Sequence, residues 1–314
     1  MNKTDKIFVA GHKGLVGSAI VRKLNSLGYN NILTVDRNQV DLKSTSEVNY
    51  WFSLNKPDYV FLAAAKVGGI RANDTYPVEF LDENLQIQGN VINASHNYSV
   101  KKLMFLGSVC IYPKYAPTPV KEEYLLSGEL EPTNQWYAIA KISGIKLCQA
   151  YRKQYGDNFI SVMPCNLYGI NDNFHPLNSH VLPALIRRFH EAKRDGLNEV
   201  VCWGDGLARR EFLNSDDLAD ALIFLMDKYE SDQIINIGYG DDYTIKDVVE
   251  IIKDIVNYTG EIKWDISKPN GTPKRLLDST KLFNMGWKPK IELRQGLKDA
   301  YTWFKENNKN TYAN

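Results

Sequence analysis

Cysteine is scarce in this sequence: Cys110, Cys148, Cys165 and Cys202 are the only four in 314 residues. Their spacings match neither a zinc pattern nor a Cys-x-x-Cys redox pair, so nothing signals a metal site or a disulfide framework. A chain of this length buries roughly three quarters of its unfolded surface and needs no such staple. Free thiols suit a reducing compartment. Residues 1–7 (MNKTDKI) run directly into a short apolar strand and do not read as a signal peptide, so a cytoplasmic setting is expected. No apolar run approaches 18 residues, which excludes a membrane-spanning helix. Neither sign of charge prevails: 38 Lys and Arg stand against 37 Asp and Glu, a formal charge of +1. That balance leaves no footprint for nucleic acid or an anionic membrane, although local cations could still hold a phosphorylated small molecule. With 44% hydrophobic and 24% charged residues, no repeats and no low-complexity segment, the chain is neither disordered nor fibrous.

What is present is an alternation. Apolar runs at 7–10, 32–35, 58–63, 103–107 and 160–163 read as strands. Helical spacing falls between them at 18–27, 48–54, 78–97 and 137–155. Strands alternating with helices imply βαβ units and a mainly parallel sheet covered on both faces. The expected fold is α/β: a Rossmann-like doubly wound parallel sheet over residues 1–167, then a smaller C-terminal α/β substrate domain over 168–314. In the second part a polar, proline-containing stretch (175–183) precedes helices at 184–193, 216–228, 245–258 and 293–306. Short strands at 200–203 and 234–237, a turn at 204–210 and a loop at 267–272 complete it. The chain is expected to return to the first domain around 211–240.

The first chemical motif is Gly11-His12-Lys13-Gly14-Leu15-Val16-Gly17, a GxxGxxG variant between the first strand and the first helix. Glycines let a backbone turn tightly and approach a pyrophosphate, which the N–H groups and positive dipole end of the following helix then hold. The strand–turn–helix context turns a weak pattern into a dinucleotide-binding expectation. Asp36 is placed at the end of the second strand, where an acid bonds a ribose 2′-hydroxyl and favours NAD. Lys13 and Arg37 are cations that could hold a 2′-phosphate and favour NADP, or could be solvated surface charge.

The second motif is Tyr137-Ala-Ile-Ala-Lys141, whose four-residue spacing puts phenol and ammonium on one helix face. A nearby ammonium favours the phenolate and makes the proton mobile. The spacing alone is common. With Ser108, after Leu106 and Gly107 at a strand end, it resembles the Ser–Tyr–Lys set of the short-chain dehydrogenase/reductase superfamily. Hydride transfer to or from a nicotinamide is then the leading chemistry.

The resemblance narrows over the segments 10–20 (AGHKGLVGSAI), 63–73 (AAAKVGGIRAN), 110–114 (CIYPK), 131–134 (EPTN), 137–141 (YAIAK), 172–180 (DNFHPLNSH) and 210–213 (REFL). Together they resemble the GDP-L-fucose synthase family of extended short-chain reductases over nearly the whole chain. Members epimerise C3 and C5 of a GDP-4-keto-6-deoxy sugar and reduce C4 with NADPH. The resemblance implies Ser108, Tyr137 and Lys141 as the reduction set and Cys110 with His180 as the epimerisation pair. It implies cofactor contacts from the glycine loop, Leu106, Gly107, Lys141, Pro164, Asn166, Leu167 and His180. Substrate contacts fall to Arg188, Trp203, Arg210 and Asp278. It further implies NADP(H) over NAD(H), no metal, and a homodimer built on helices 78–97 and 137–155. The residue types agree: a 4-keto group acidifies its neighbouring C–H bonds, and a thiol with an imidazole can move those protons near neutral pH.

Three departures from the family pattern, Val109, Cys165 and Leu177, fall around the sugar and cofactor. They leave a second reading open, C4 reduction of a GDP-6-deoxy-4-keto-heptose with or without epimerisation. A nucleotide-sugar 4-epimerase would retain its NAD tightly. A 4,6-dehydratase would carry acidic residues where Val109 and Cys110 stand. A non-enzymatic NADP-binding sensor would have no use for Tyr137, Lys141, Cys110 and His180 together.

Overall fold

The computed structural model describes residues 1–176, 178–268 and 273–307. Its first part runs β1 (Ile7–Ala10), α1 (Leu15–Ser26), β2 (Ile32–Leu33), α2 (Thr45–Asn55), β3 (Tyr59–Leu62), α3 (Ile70–Thr75), α4 (Pro77–Asn97), β4 (Lys102–Leu106), α5 (Gln135–Tyr155) and β5 (Phe159–Pro164). The rest runs β6 (Asn166–Tyr168), α6 (Val181–Arg194), β7 (Glu199–Trp203), β8 (Arg209–Arg210), β9 (Phe212–Asn214), α7 (Ser215–Lys228), β10 (Ile235–Ile237), β11 (Tyr243–Thr244), α8 (Ile245–Val256), β12 (Glu261–Asp265), β13 (Lys274–Arg275), α9 (Thr280–Asn284) and α10 (Leu293–Asn307).

Six strands form one sheet in the order β10-β5-β4-β3-β1-β2, every pair parallel. Strands β1, β4 and β5 are buried along their whole length, as a parallel sheet covered on both faces requires. Helices α4 and α5 pack together on one face, with α2 beside α4, and α1 packs on α7 on the other. The α1–α7 contact is pinned by Arg22 to Asp216 at 2.6 Å and Lys23 to Asp220 at 2.5 Å. The chain leaves β1 for β2 on one side and then crosses to β3 on the other. The crevice beyond the carboxyl ends of β1 and β3 is therefore the topological switch point, where α/β sheets bind ligands.

A second apolar core, containing Phe174, Leu185, Phe189, Val248, Ile252, Leu297 and Phe304, lies among α6, α8 and α10. The parallel pair β7–β12 flanks it. Helix α8 starts at a reciprocal capping box: Thr244 Oγ1 accepts from the Asp247 N–H at 3.0 Å, and Asp247 Oδ2 accepts from the Thr244 N–H at 3.1 Å.

Several expected boundaries move. Strand β2 has two ladder residues, so Asp36 lies beyond its end and not on it. The Asp36 carboxylate accepts from the Asn38 N–H at 3.0 Å, and this local turn competes with the ladder. Strand β4 stops at Leu106, before Gly107. Helix α1 begins inside the glycine motif, at Leu15, three residues before its apolar periodicity becomes visible. The stretch expected as a turn at 204–210 ends in a strand, because Arg209 and Arg210 pair with β11 and β13. Leu177 and positions 269–272 of the expected loop lie outside the described residues.

Candidate functional site

The glycine loop sits at the switch point. Gly11 has φ +87°, and a Cβ on Gly17 would lie 2.1 Å from the Gly11 carbonyl oxygen. The Gly14 N–H donates to that oxygen at 3.0 Å, closing the turn. Gly14 is the N-cap of α1 and brings no side-chain cap, so the first-turn N–H groups of Leu15, Val16 and Gly17 are left for a ligand. Gly11, Gly14 and Gly17 bring no side chains to the cradle, and a twelve-residue helix dipole stands behind it. These features fit the pyrophosphate of a dinucleotide.

At the ribose end of the cradle, Lys13 Nζ lies 3.1 Å from Asp36 Oδ2. This bond holds the Asp36 carboxyl below its ordinary range. Arg37 stays exposed, facing Glu83. The Asn171 amide donates to the Lys13 carbonyl at 2.6 Å, so the segment preceding α6 is tied to the glycine loop.

The carboxyl end of β4 and the start of α5 bring the second group together. Lys141 is buried and donates to the Leu106 carbonyl at 2.8 Å. Its Nζ lies 5.7 Å from the centre of the Tyr137 ring, and burial pulls the ammonium down to about 8. The Tyr137 ring meets Phe80 edge-on at 6.3 Å. Burial pushes its phenol above the ordinary range, and the facing Cys110 thiol adds to this. Desolvation of Tyr137 thus favours the neutral phenol. Ser108 Oγ accepts from the Cys110 N–H at 3.4 Å. Burial raises the Cys110 thiol, while Ser108, Lys141 and Arg275 oppose that rise. Ser108, Cys110, Tyr137 and Lys141 thus share one partly enclosed space.

His180 occupies the N-cap position of α6 without a side-chain cap bond; the residue is exposed, yet desolvation by surrounding protein lowers its basicity. Its segment is anchored elsewhere: the Gly69 N–H donates to the Asn178 carbonyl at 3.3 Å, and the Asn73 amide holds the Gly68 and Gly69 carbonyls at 2.8 and 3.1 Å. The described interactions link His180 to this wall and not to Cys110. Strand β6, with Asn166 and Leu167, continues from Pro164 and pairs with β9, and the Asn166 amide donates to the Glu211 carbonyl at 2.9 Å.

The expected substrate residues lie on separate pieces of the second part. Arg188 donates to the Val201 carbonyl at 2.8 Å, near Trp203, which is 61% exposed with the Lys268 ammonium 5.9 Å over its ring. Arg210 lies in β8 and donates to the Arg209 carbonyl at 2.8 Å. The Asp278 carboxylate is occupied locally, accepting from the Thr280 N–H at 3.0 Å. No described interaction joins Asp278 to Arg210 or Trp203.

Two further residues adjoin Arg210. Arg275 stands in register beside Arg210; burial lowers the basicity of both, and Arg275 lowers that of Arg210 further. Glu211 is buried, accepts from the Gly240 and Leu277 N–H groups at 2.8 and 3.0 Å, and is pushed up to about 7. Glu211 sat inside a quoted motif and was legible there. Arg275 carried no local signal, because only the β8–β13 pairing brings it in. Among the described residues no cluster of His, Cys, Asp or Glu could hold a metal, and no helix is long and apolar enough to cross a membrane.

Comparison with known proteins assigns the chain to a family. The NAD dependent epimerase/dehydratase family matches residues 7–238. GDP-L-fucose synthase 1 of Arabidopsis thaliana is 58% identical over 306 residues, covering 98% of this chain and 95% of that protein. A GDP-6-OMe-4-keto-L-xylo-heptose reductase from C. jejuni superposes with a TM-score of 0.91 at 40% identity, covering 98% of this chain and 99% of that one. A GDP-L-fucose synthetase from Naegleria fowleri bound to NADP superposes with a TM-score of 0.91 at 28% identity, covering 98% and 96%. The chain belongs to the NAD dependent epimerase/dehydratase family and, within it, to the GDP-L-fucose synthases.

Proposed function

We propose that this protein reduces C4 of a GDP-linked 4-keto-6-deoxy sugar with NADPH, after epimerising C3 and C5, and so forms GDP-L-fucose. The observation that carries this reading is the meeting of Ser108, Cys110, Tyr137 and Lys141 in one space at the carboxyl end of β4. Bound NADPH supplies a hydride to C4.

Epimerisation comes first. A C–H bond beside the C4 ketone loses its proton to one group and regains it on the opposite face from another. Cys110 and His180 are the two groups, and the bonding pair rests meanwhile on the C4 oxygen as an enolate. The Ser108 and Tyr137 hydroxyls donate to that oxygen, then to the alkoxide formed in reduction. Tyr137, held protonated by burial, gives its proton to the C4 oxygen, and the Lys141 ammonium offsets the phenolate left behind. Arg188 and Arg210 pair with the diphosphate, Trp203 stacks on guanine, and Asp278 contacts the GDP-sugar.

Gly11, Gly14 and Gly17 hold the cofactor phosphates, Lys141 its nicotinamide ribose, and Leu106, Gly107, Pro164, Asn166, Leu167 and His180 line its other end. The Lys13–Asp36 pair supports NADP over NAD: it neutralises the carboxylate that would repel a 2′-phosphate and leaves the exposed Arg37 to bind it. Arg37→Ala is expected to weaken NADPH about tenfold and NADH less than twofold. Equal weakening in fluorescence titrations would remove Arg37 from that role. A homodimer is supported by exposed apolar residues on the paired helices, Leu85 on α4 with Trp136 and Ile139 on α5. The free thiols support a cytoplasmic setting.

The test is to incubate the protein with NADPH and GDP-4-keto-6-deoxymannose, then with the heptose counterpart, and to read product stereochemistry by NMR. GDP-L-fucose supports the full reading. Faster heptose turnover with C3 and C5 unchanged would replace it with C4 reduction alone, the reading favoured by the C. jejuni heptose reductase of equal TM-score. Cys110→Ser is expected to cut solvent-deuterium entry at C3 and C5 at least 100-fold, with C4 reduction of a pre-epimerised ketone reduced less than fivefold. Equal losses would sink the division of roles.

A further inference from the structure

Two cations face the Cys110 thiol: Lys141 from α5 and Arg275 from β13. The other groups around it are the Ser108 hydroxyl and the Tyr137 phenol. Lys141 is committed to the Leu106 carbonyl, and burial weakens its charge near pH 8. Arg275 differs on both counts. A guanidinium stays charged across the working pH range, even where burial lowers its basicity. Its Nη1 donates at 3.1 Å to the carbonyl of Pro113, which ends the Cys110-Ile111-Tyr112-Pro113 turn. Glu131, the carboxylate facing Arg275, is held by Lys114 at 3.1 Å and so does not claim the guanidinium. On its other side stands Arg210, fixed by the β8–β13 register.

We propose that Arg275 is a positioning residue for Cys110: clamped to the Cys110–Pro113 turn and to β8, it keeps a permanent positive charge beside that turn and favours the thiolate whenever the sulfur gives up its proton. This rests on the reading that Cys110 exchanges the proton beside the ketone. In that step the thiolate sulfur takes the proton, the C–H pair passes to the C4 oxygen, and charge moves from sulfur to the enolate. Arg275 supplies the field that makes the thiolate available without joining the bond changes.

The test reads the thiolate directly. Cys110 is the one cysteine that is not buried, so iodoacetamide should modify it first, and mass spectrometry can follow that site alone. Arg275→Gln keeps an N–H donor and removes the charge. Between pH 7 and 9 it is expected to slow Cys110 alkylation about tenfold, the equivalent of one pKa unit. Arg275→Lys, which restores the charge, should stay within threefold of the unmodified protein. An unchanged rate in Arg275→Gln overturns the proposal, as does an Arg275→Lys rate equally slow, since shape and not charge would then matter. If Arg275→Gln does not fold, Arg275→Met, which keeps an unbranched stem and removes the charge, is read instead. It should also slow Cys110 alkylation about tenfold, and an unchanged rate would overturn the proposal. Deuterium entry at C3 and C5, measured separately, tests the epimerase reading, so the two can fail independently.

Discussion

Tyr137→Phe is expected to lower kcat for C4 reduction by roughly 10²–10⁴-fold while NADPH affinity stays within about twofold. The substitution removes one hydroxyl from a ring that packs edge-on against Phe80, so the loss is chemical and not architectural. The phenol is pushed up by burial, which makes it a stored proton beside the C4 oxygen and not a resting phenolate. When it gives that proton up, the buried Lys141 ammonium carries the compensating charge, but only below about pH 8. The unmodified enzyme should therefore lose reduction rate as pH rises through 8, because Lys141 discharges. The Phe variant should lose this limb together with its rate. NADPH absorbance under single-turnover conditions measures both. A Phe variant within tenfold of the unmodified rate would assign the proton to another group.

Gly17→Ala is expected to weaken NADPH binding at least 100-fold and to lower the melting temperature by several degrees. The added Cβ would sit 2.1 Å from the Gly11 oxygen, 2.5 Å from its carbonyl carbon and 2.8 Å from the His12 Cα. All three are backbone atoms, so no side chain can swing aside. The loop must open, and with it the Gly14-to-Gly11 bond that closes the turn. Overpacking of this kind costs about 1–3 kcal/mol or more, and the opened loop no longer points its N–H groups at a pyrophosphate. Fluorescence titration with NADPH and a thermal melt are sufficient checks. Unaltered NADPH affinity would mean the pyrophosphate lies elsewhere.

These two positions also separate what was local from what was not. Gly17 and the Tyr137–Lys141 pair were legible because their chemistry depends on spacing within one turn or one helix, and such spacing is written along the chain. The doubly wound sheet was legible for a similar reason: fully buried parallel strands read as continuous apolar runs, and the helices between them keep a 3.6-residue period. Asp36 was misplaced by a few residues because its side chain forms its own turn with Asn38, a competition that apolar patterning does not register. Strands β6, β8, β9, β11 and β13 have only two or three residues each, too short to show any period.

By itself, then, the sequence determined the parallel sheet, the glycine cradle at its switch point, and which residue types could move a hydride's companion proton. Each of these depends on neighbours within a few residues. Tertiary structure alone decided that the Tyr137 phenol is buried facing Cys110, that Asp36 is engaged by Lys13, and that Arg275 stands between Arg210 and the Cys110 turn. The reason is physical: desolvation and charge act through space, and β8, β13 and the Cys110 turn meet only after the chain has folded across more than 160 residues.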